Sequence, residues 1–217
     1  MRHMPAEEEK DWSLEAVVFF LGKEIGYVVS PHTFGEKCAI MNAYNELVGS
    51  KKESDRKFAK TFKPNKKFFV ASGKYEDEKG KEPIYTGDNN GIKPCMLAPG
   101  QYQDLLDLFL DEDEAGDFTH PDEGYDIKYR RTGKGMLDTE YSLIACKSTP
   151  LAKKWRKMIP VDIEQMVRDI TPSYKETKAL LEQFMNLDPE EDTKTSKKKK
   201  SRDDDDEKPK KKRKGDL

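Results

Sequence analysis

Hydrophobic and polar positions alternate in short runs, broken by glycine and proline. Val17–Leu21 and Tyr27–Ser30 read as two strands joined through Gly22 and Gly26. Cys38–Val48 changes period: Ile40, Ala43, Tyr44 and Leu47 recur at helical spacing. Asp55–Phe62 continues as a basic helical stretch that Pro64 ends. Lys67–Ser72 is predicted as a strand and the polar, turn-rich 73–90 as a loop. Ile92–Leu97 is a strand that Pro94 pushes to an edge, because proline donates nothing to a ladder. Behind Pro99 and Gly100, Gln101–Leu110 is helical, with Leu105, Leu106, Phe109 and Leu110 as its apolar side. Tyr125–Thr132 and Glu140–Cys146 form a hairpin, followed by amphipathic helices over Ile163–Ile170 and Tyr174–Met185 that Pro172 separates.

These elements predict an α+β, mainly β domain: a small β-barrel with helical additions. Composition marks its ends. Of 217 residues, 38% are charged and 35% hydrophobic, too few apolar side chains to bury the whole chain. The expected organisation is a flexible stretch over 1–11, one domain over 12–187 and a disordered tail over 188–217. The tail holds almost nothing apolar to offset the entropy of ordering it. No apolar run is long enough to span a membrane, and acids rather than bases precede Ala16–Leu21, so neither a span nor a signal peptide is expected. Three widely spaced cysteines, Cys38, Cys95 and Cys146, argue against a disulfide framework and for a reducing compartment.

The net charge of −2 conceals segregation. Lys51–Lys67 carries eight bases and two acids, and Asp104–Asp126 ten acids and no Lys or Arg. Lys128–Lys134 carries four bases, as does the KKWRK string at 153–157. The tail is a polyampholyte, with the acids Asp203–Glu207 between lysine blocks. Its PKKKRK string at 209–214 resembles a nuclear import signal, but is read as lysine-rich disorder unless the host is eukaryotic.

Chemistry-bearing motifs are scarce. No glycine loop precedes a helix in the way phosphate cradles require. Arg131–Met136 (RTGKGM) lies between strands. The acids of 111–117 lack calcium-loop spacing. No nucleophile–base–orienter set stands out, so no enzyme is expected. Cys38 is followed at the CxxC distance by Met41, and His32 lies six residues before it. A zinc site needs four nitrogen or sulfur ligands, so a buried cysteine is the favoured reading.

The strongest signal is cations interleaved with aromatics in three segments. The first runs from Lys51 to Phe69, with Lys66 and Lys67 beside Phe68 and Phe69; the second is Gly124–Gly135, with Tyr125, Lys128, Tyr129, Arg130, Arg131 and Lys134; the third is KKWRK, with Lys153 and Trp155. Cations track phosphates and aromatic faces stack bases, the two requirements of single-stranded nucleic-acid binding. Phe58, Phe62 and one of Phe68 and Phe69 are expected in the core. Strand parity puts Ile127 and Tyr129 on one face and Lys128 and Arg130 on the other.

The string LLDLFLDEDEAGDFTHPDEGYDIKYRRTGKGMLDTEYSL, with SPHTFGEKCAIMNAYNELVGSKK and KPNKKFFVASGKYED upstream, resembles phage single-stranded DNA-binding proteins of the gene 32 type. The resemblance covers roughly 17–151. It implies an OB-fold that binds single-stranded DNA without sequence preference in replication, recombination and repair, in the host cytoplasm. Self-association along the strand and recruitment of replication proteins through tail or acidic belt are implied as well. On this basis Lys66, Lys67, Tyr125, Lys128, Arg130, Arg131 and Lys134 are assigned to the cleft, with Phe69, Tyr141, Lys153 and Trp155 as further contacts. The family's zinc motif is degenerate at His32, Cys38 and Met41, so zinc is expected to be lost and no cofactor is expected. Two other readings remain: a replication adaptor that docks partners on 101–126, and a metal-dependent nucleic-acid enzyme that uses carboxylates of 111–126.

Overall fold

A computed structural model of the chain describes residues 1–75, 84, 89–111, 116–133 and 139–186. Strand β1 (Arg2–His3) is followed by β2 (Ser13–Phe20), a helical turn α1 (Gly22–Ile25) and β3 (Tyr27–Val29). Helices α2 (Ala39–Val48) and α3 (Glu53–Ala59) lead into β4 (Asn65–Gly73). Then come β5 (Lys93–Leu97), α4 (Pro99–Leu110), β6 (Tyr125–Thr132) and β7 (Glu140–Ser148). Helices α5 (Lys153–Arg156), α6 (Ile163–Asp169) and α7 (Tyr174–Asn186) complete the described part. Residues Met1–Phe184 form one compact unit. The predicted disordered tail lies outside the described residues.

The architecture is mixed α and β with antiparallel sheets. In the first sheet β4 is central: β2 and β1 follow one another along one of its edges, and β5 takes the other. β3 pairs outside β2. The second sheet is the β6–β7 hairpin. The expected barrel does not close. Helix α4 packs against β4, β5 and β7, so side chains rather than a ladder fill the seam between sheet and hairpin. Pro99 stands in the first turn of α4, and the Gln101 side chain accepts the Ala98 N–H at 2.9 Å, satisfying a donor left free at the helix start.

Period-2 alternation along β4 divides the interior. Phe69 and Ala71 face a core that holds Ala16, Val18, Trp155, Ile163 and Val167. Val70 faces the opposite core, with Leu97, Leu105, Phe118, Tyr125 and Ile127. A third core, with Phe19, Val28, Cys38, Ile40 and Phe62, is covered by α2 and by Leu180, Leu181 and Phe184 of α7. Gly73 is required where it stands, since a Cβ there would collide with the Trp155 indole. Gly124 is constrained likewise by the carbonyls of Phe118 and His120.

Within the stretch 1–11, expected to be flexible, residues 1–5 are bonded into the fold. Arg2 and His3 pair with Gly73 and Ser72, Met4 N–H donates to Ala71 O at 2.9 Å, and Val161 N–H donates to Pro5 O at 3.1 Å. The Met1 ammonium donates to Ile127 O at 2.7 Å and Met1 O accepts from Ile127 N–H at 2.8 Å, stitching the first sheet to the hairpin. Arg2, His3 and Met4 are all buried. A two-residue strand carries no readable period, and polar Arg2 and His3 gave no hint of burial.

Candidate nucleic-acid interface

Hairpin β6–β7 gathers most of the exposed candidate residues. Directly opposed residues share a face of an antiparallel pair. One face therefore carries Lys128 opposite Ile144 and Arg130 opposite Ser142. The other face carries Ile127 and Tyr129, which pack inward, and then Arg131 opposite Tyr141 nearer the turn. Lys128, Arg130 and Arg131 are exposed, Tyr141 is 48% exposed and Ile144 44%. The Arg131 guanidinium donates to Thr139 Oγ1 at 3.1 Å, and no carboxylate pairs with the three cations among the described residues. Cations unmatched by acids beside an open aromatic ring suit a phosphate backbone with stacked bases. Lys134 lies outside the described residues.

Lys66 and Lys67, adjacent in sequence, are sent to opposite faces of β4 by strand alternation. Lys66 is paired with Glu15 at 2.9 Å. Lys67 lies over the Tyr27 ring, 5.7 Å from its centroid. Phe20 and Tyr27 are cross-strand partners with ring centroids 5.0 Å apart, 38% and 52% exposed. This second cation–aromatic patch was missed by the sequence reading, which took both rings as ordinary strand residues. Its signal was available: each ring abuts the β2–β3 turn, where a sheet face runs out of neighbours.

Three aromatic candidates are corrected outright. Trp155 is completely buried: its Nε1–H donates to Asn90 O at 2.8 Å, and Tyr75 meets its ring edge. Phe69 is buried in the same core. Tyr125 is buried against Phe118 and donates its hydroxyl to Gly116 O at 3.2 Å; burial pushes that hydroxyl up to about 12. None offers a face to a base. KKWRK is a short solvated helix whose indole anchors it, leaving Lys153 exposed.

Cys38 is buried, Met41 packs on the same core and His32 is exposed. Among the described residues no three His, Cys, Asp or Glu side chains gather as a metal site. Several acids of 104–126 serve the local fold: Asp117 accepts the Thr119 N–H and hydroxyl at 2.8 and 2.6 Å, and Asp122 pairs with Arg156 at 2.6 Å. Among the described residues no helix is long and apolar enough to cross a membrane. No protein-family model matches the chain, and no curated protein matches it.

Proposed function

We propose that this protein binds single-stranded DNA without sequence preference. The observation that carries the reading is the set Lys128, Arg130 and Arg131, exposed on one hairpin beside Tyr141 and unmatched by carboxylates among the described residues. The Phe20–Tyr27–Lys67 patch supports it with the same pairing of ring and cation. In this reading the open sheet and its stitched hairpin are a variant of the OB-fold, and the chain is a phage replication, recombination and repair protein of the gene 32 type. It acts as a binding protein and not as an enzyme, without zinc, in the host cytoplasm. Replication partners engage its tail or acidic belt, and copies associate along the strand.

Binding is mainly electrostatic in this proposal. Phosphates displace counterions, and on single strands the logarithm of affinity falls with a slope of about −0.7 per phosphate neutralised. Fluorescence titration of oligo-dT across a salt series tests it. The Lys128→Ala/Arg130→Ala/Arg131→Ala variant is expected to bind about tenfold more weakly, with a slope shallower by about 2. Affinity and slope equal to wild type would remove the hairpin from the interface. Cleavage of the strand on adding Mg²⁺ would favour the nucleic-acid enzyme instead.

A further inference from the structure

We infer that the cavity over one face of the β4–β5 pair, beside Met1, Ile84 and Gly91, is a binding pocket for a phosphate monoester. It has a volume of about 330 Å³, at the lower end of ligand-site sizes and suited to a mononucleotide. Its lining includes Ser72, Ile84, Cys95 and Met96, with Lys74 and Lys93. The register explains the gathering. Ser72 is opposite Lys93 and Val70 is opposite Cys95, so Ser72, Lys93 and Cys95 share one face, and Lys74 continues that alternation just past the end of β4. Both lysines are exposed, and no carboxylate pairs with either among the described residues.

A buried hydrogen-bond chain gives the Ser72 hydroxyl its direction. Ser72 is 2% exposed, and its Oγ lies 2.8 Å from His3 Nδ1; His3 Nε2 lies 2.9 Å from the Tyr129 hydroxyl. A neutral imidazole has one donor and one acceptor. Among the described residues Nε2 is the hydrogen-bond partner of the Tyr129 hydroxyl, and in the tautomer in which that hydroxyl donates, Nε2 accepts. Nδ1–H then donates to Ser72 Oγ. The Ser72 proton is left with the poorly placed Val70 O at 3.4 Å, or with an acceptor in the cavity. The pocket thus offers a hydroxyl donor at Ser72 and two cations, Lys74 and Lys93, with Ile84 as apolar wall for a base. Burial holds the Cys95 thiol above its ordinary range, so it remains a neutral wall group.

This inference does not rest on the strand-binding reading. The phosphate monoester has two sources, a free mononucleotide and the 5′ end of a strand. Calorimetric titration with dTMP, thymidine and inorganic phosphate, and with oligo-dT with and without a 5′ phosphate, tests the pocket and separates the sources. dTMP is expected to bind and thymidine not, with Lys74→Gln/Lys93→Gln weakening dTMP about tenfold. Ser72→Ala should weaken it too. The lysine pair, being exposed, keeps the test valid if Ser72→Ala disturbs folding. A gain from the 5′ phosphate that the lysine variant abolishes identifies strand ends as the source; no such gain, with dTMP bound, identifies free nucleotide. Equal binding of dTMP and thymidine, no dTMP binding, or dTMP binding unchanged in the lysine variant overturns the pocket. Oligo-dT binding that responds only to the hairpin variant would leave the proposed function standing without it. dTMP binding without any oligo-dT binding would do the reverse.

Discussion

His3 is fully buried between Ser72, Phe118 and Tyr129, and burial, reinforced by the Met1 ammonium and Arg2, pushes its pKa from 6.5 to about 3. The folded protein therefore holds a neutral imidazole where the unfolded chain binds a proton below pH 6.5. The resulting stability is complete above that pH and is lost as pH falls, by up to about 1.4 kcal/mol per unit. Urea midpoints measured between pH 8 and pH 5 should drop for wild type and stay flatter for His3→Asn. Parallel profiles would rule out a neutral buried His3. Arg2, on the other face of β1, donates to His120 O at 2.8 Å, while its Nε and Nη1 find no acceptor among the described residues. Burial pushes the guanidinium pKa down against the pull of Asp126. Trp155 makes the same point in apolar form. Trp155→Phe loses the bond to Asn90 and part of the packing against Gly73, and is expected to cost about 2 kcal/mol in chemical denaturation while oligo-dT affinity is unchanged. A loss of affinity without a loss of stability would return Trp155 to the interface.

At the scale of elements, most helices and strands were legible because their periods were clean. Helix α2 starts one residue later than expected and α4 two residues earlier, and β5 is an edge strand bearing Pro94. The hairpin emerged with the parity read from the sequence: Lys128 and Arg130 on one face, Ile127 and Tyr129 on the other. Its cations belong to the element that leaves the core, which is why the triple variant should change binding without unfolding the domain. Comparable urea midpoints for that variant and wild type are the matching control. The basic segment 51–67 behaves differently. Parity splits Lys66 from Lys67, and Phe62 turns into the core beneath α2 and α7. A run of cations and rings is one surface only if its period keeps it on one face.

The whole molecule depends on a segment the sequence understated. Residues 1–6 extend the β4 ladder, bond to Ile127 of the hairpin and to Val161 ahead of α6, and bury Met4. Lys10 adds a pair with Asp162 at 2.7 Å, and the Asp162 carboxylate also caps α6 by accepting from Gln165 N–H at 3.0 Å. Deleting residues 1–6 is expected to lower stability by roughly 3 kcal/mol, given the apolar area re-exposed at Met4 and around His3. An unchanged urea midpoint would show that the segment decorates the fold instead of joining it.

The sequence alone determined the order and type of most elements, the charge segregation and the hairpin's basic face, because each follows from local period and composition. Only the tertiary structure decided that Trp155, Phe69 and Tyr125 are core and that β1 joins sheet to hairpin. Burial of a large ring among cations, or of an arginine and a histidine near the first residue, depends on what distant segments pack over them. Local pattern carries no record of that.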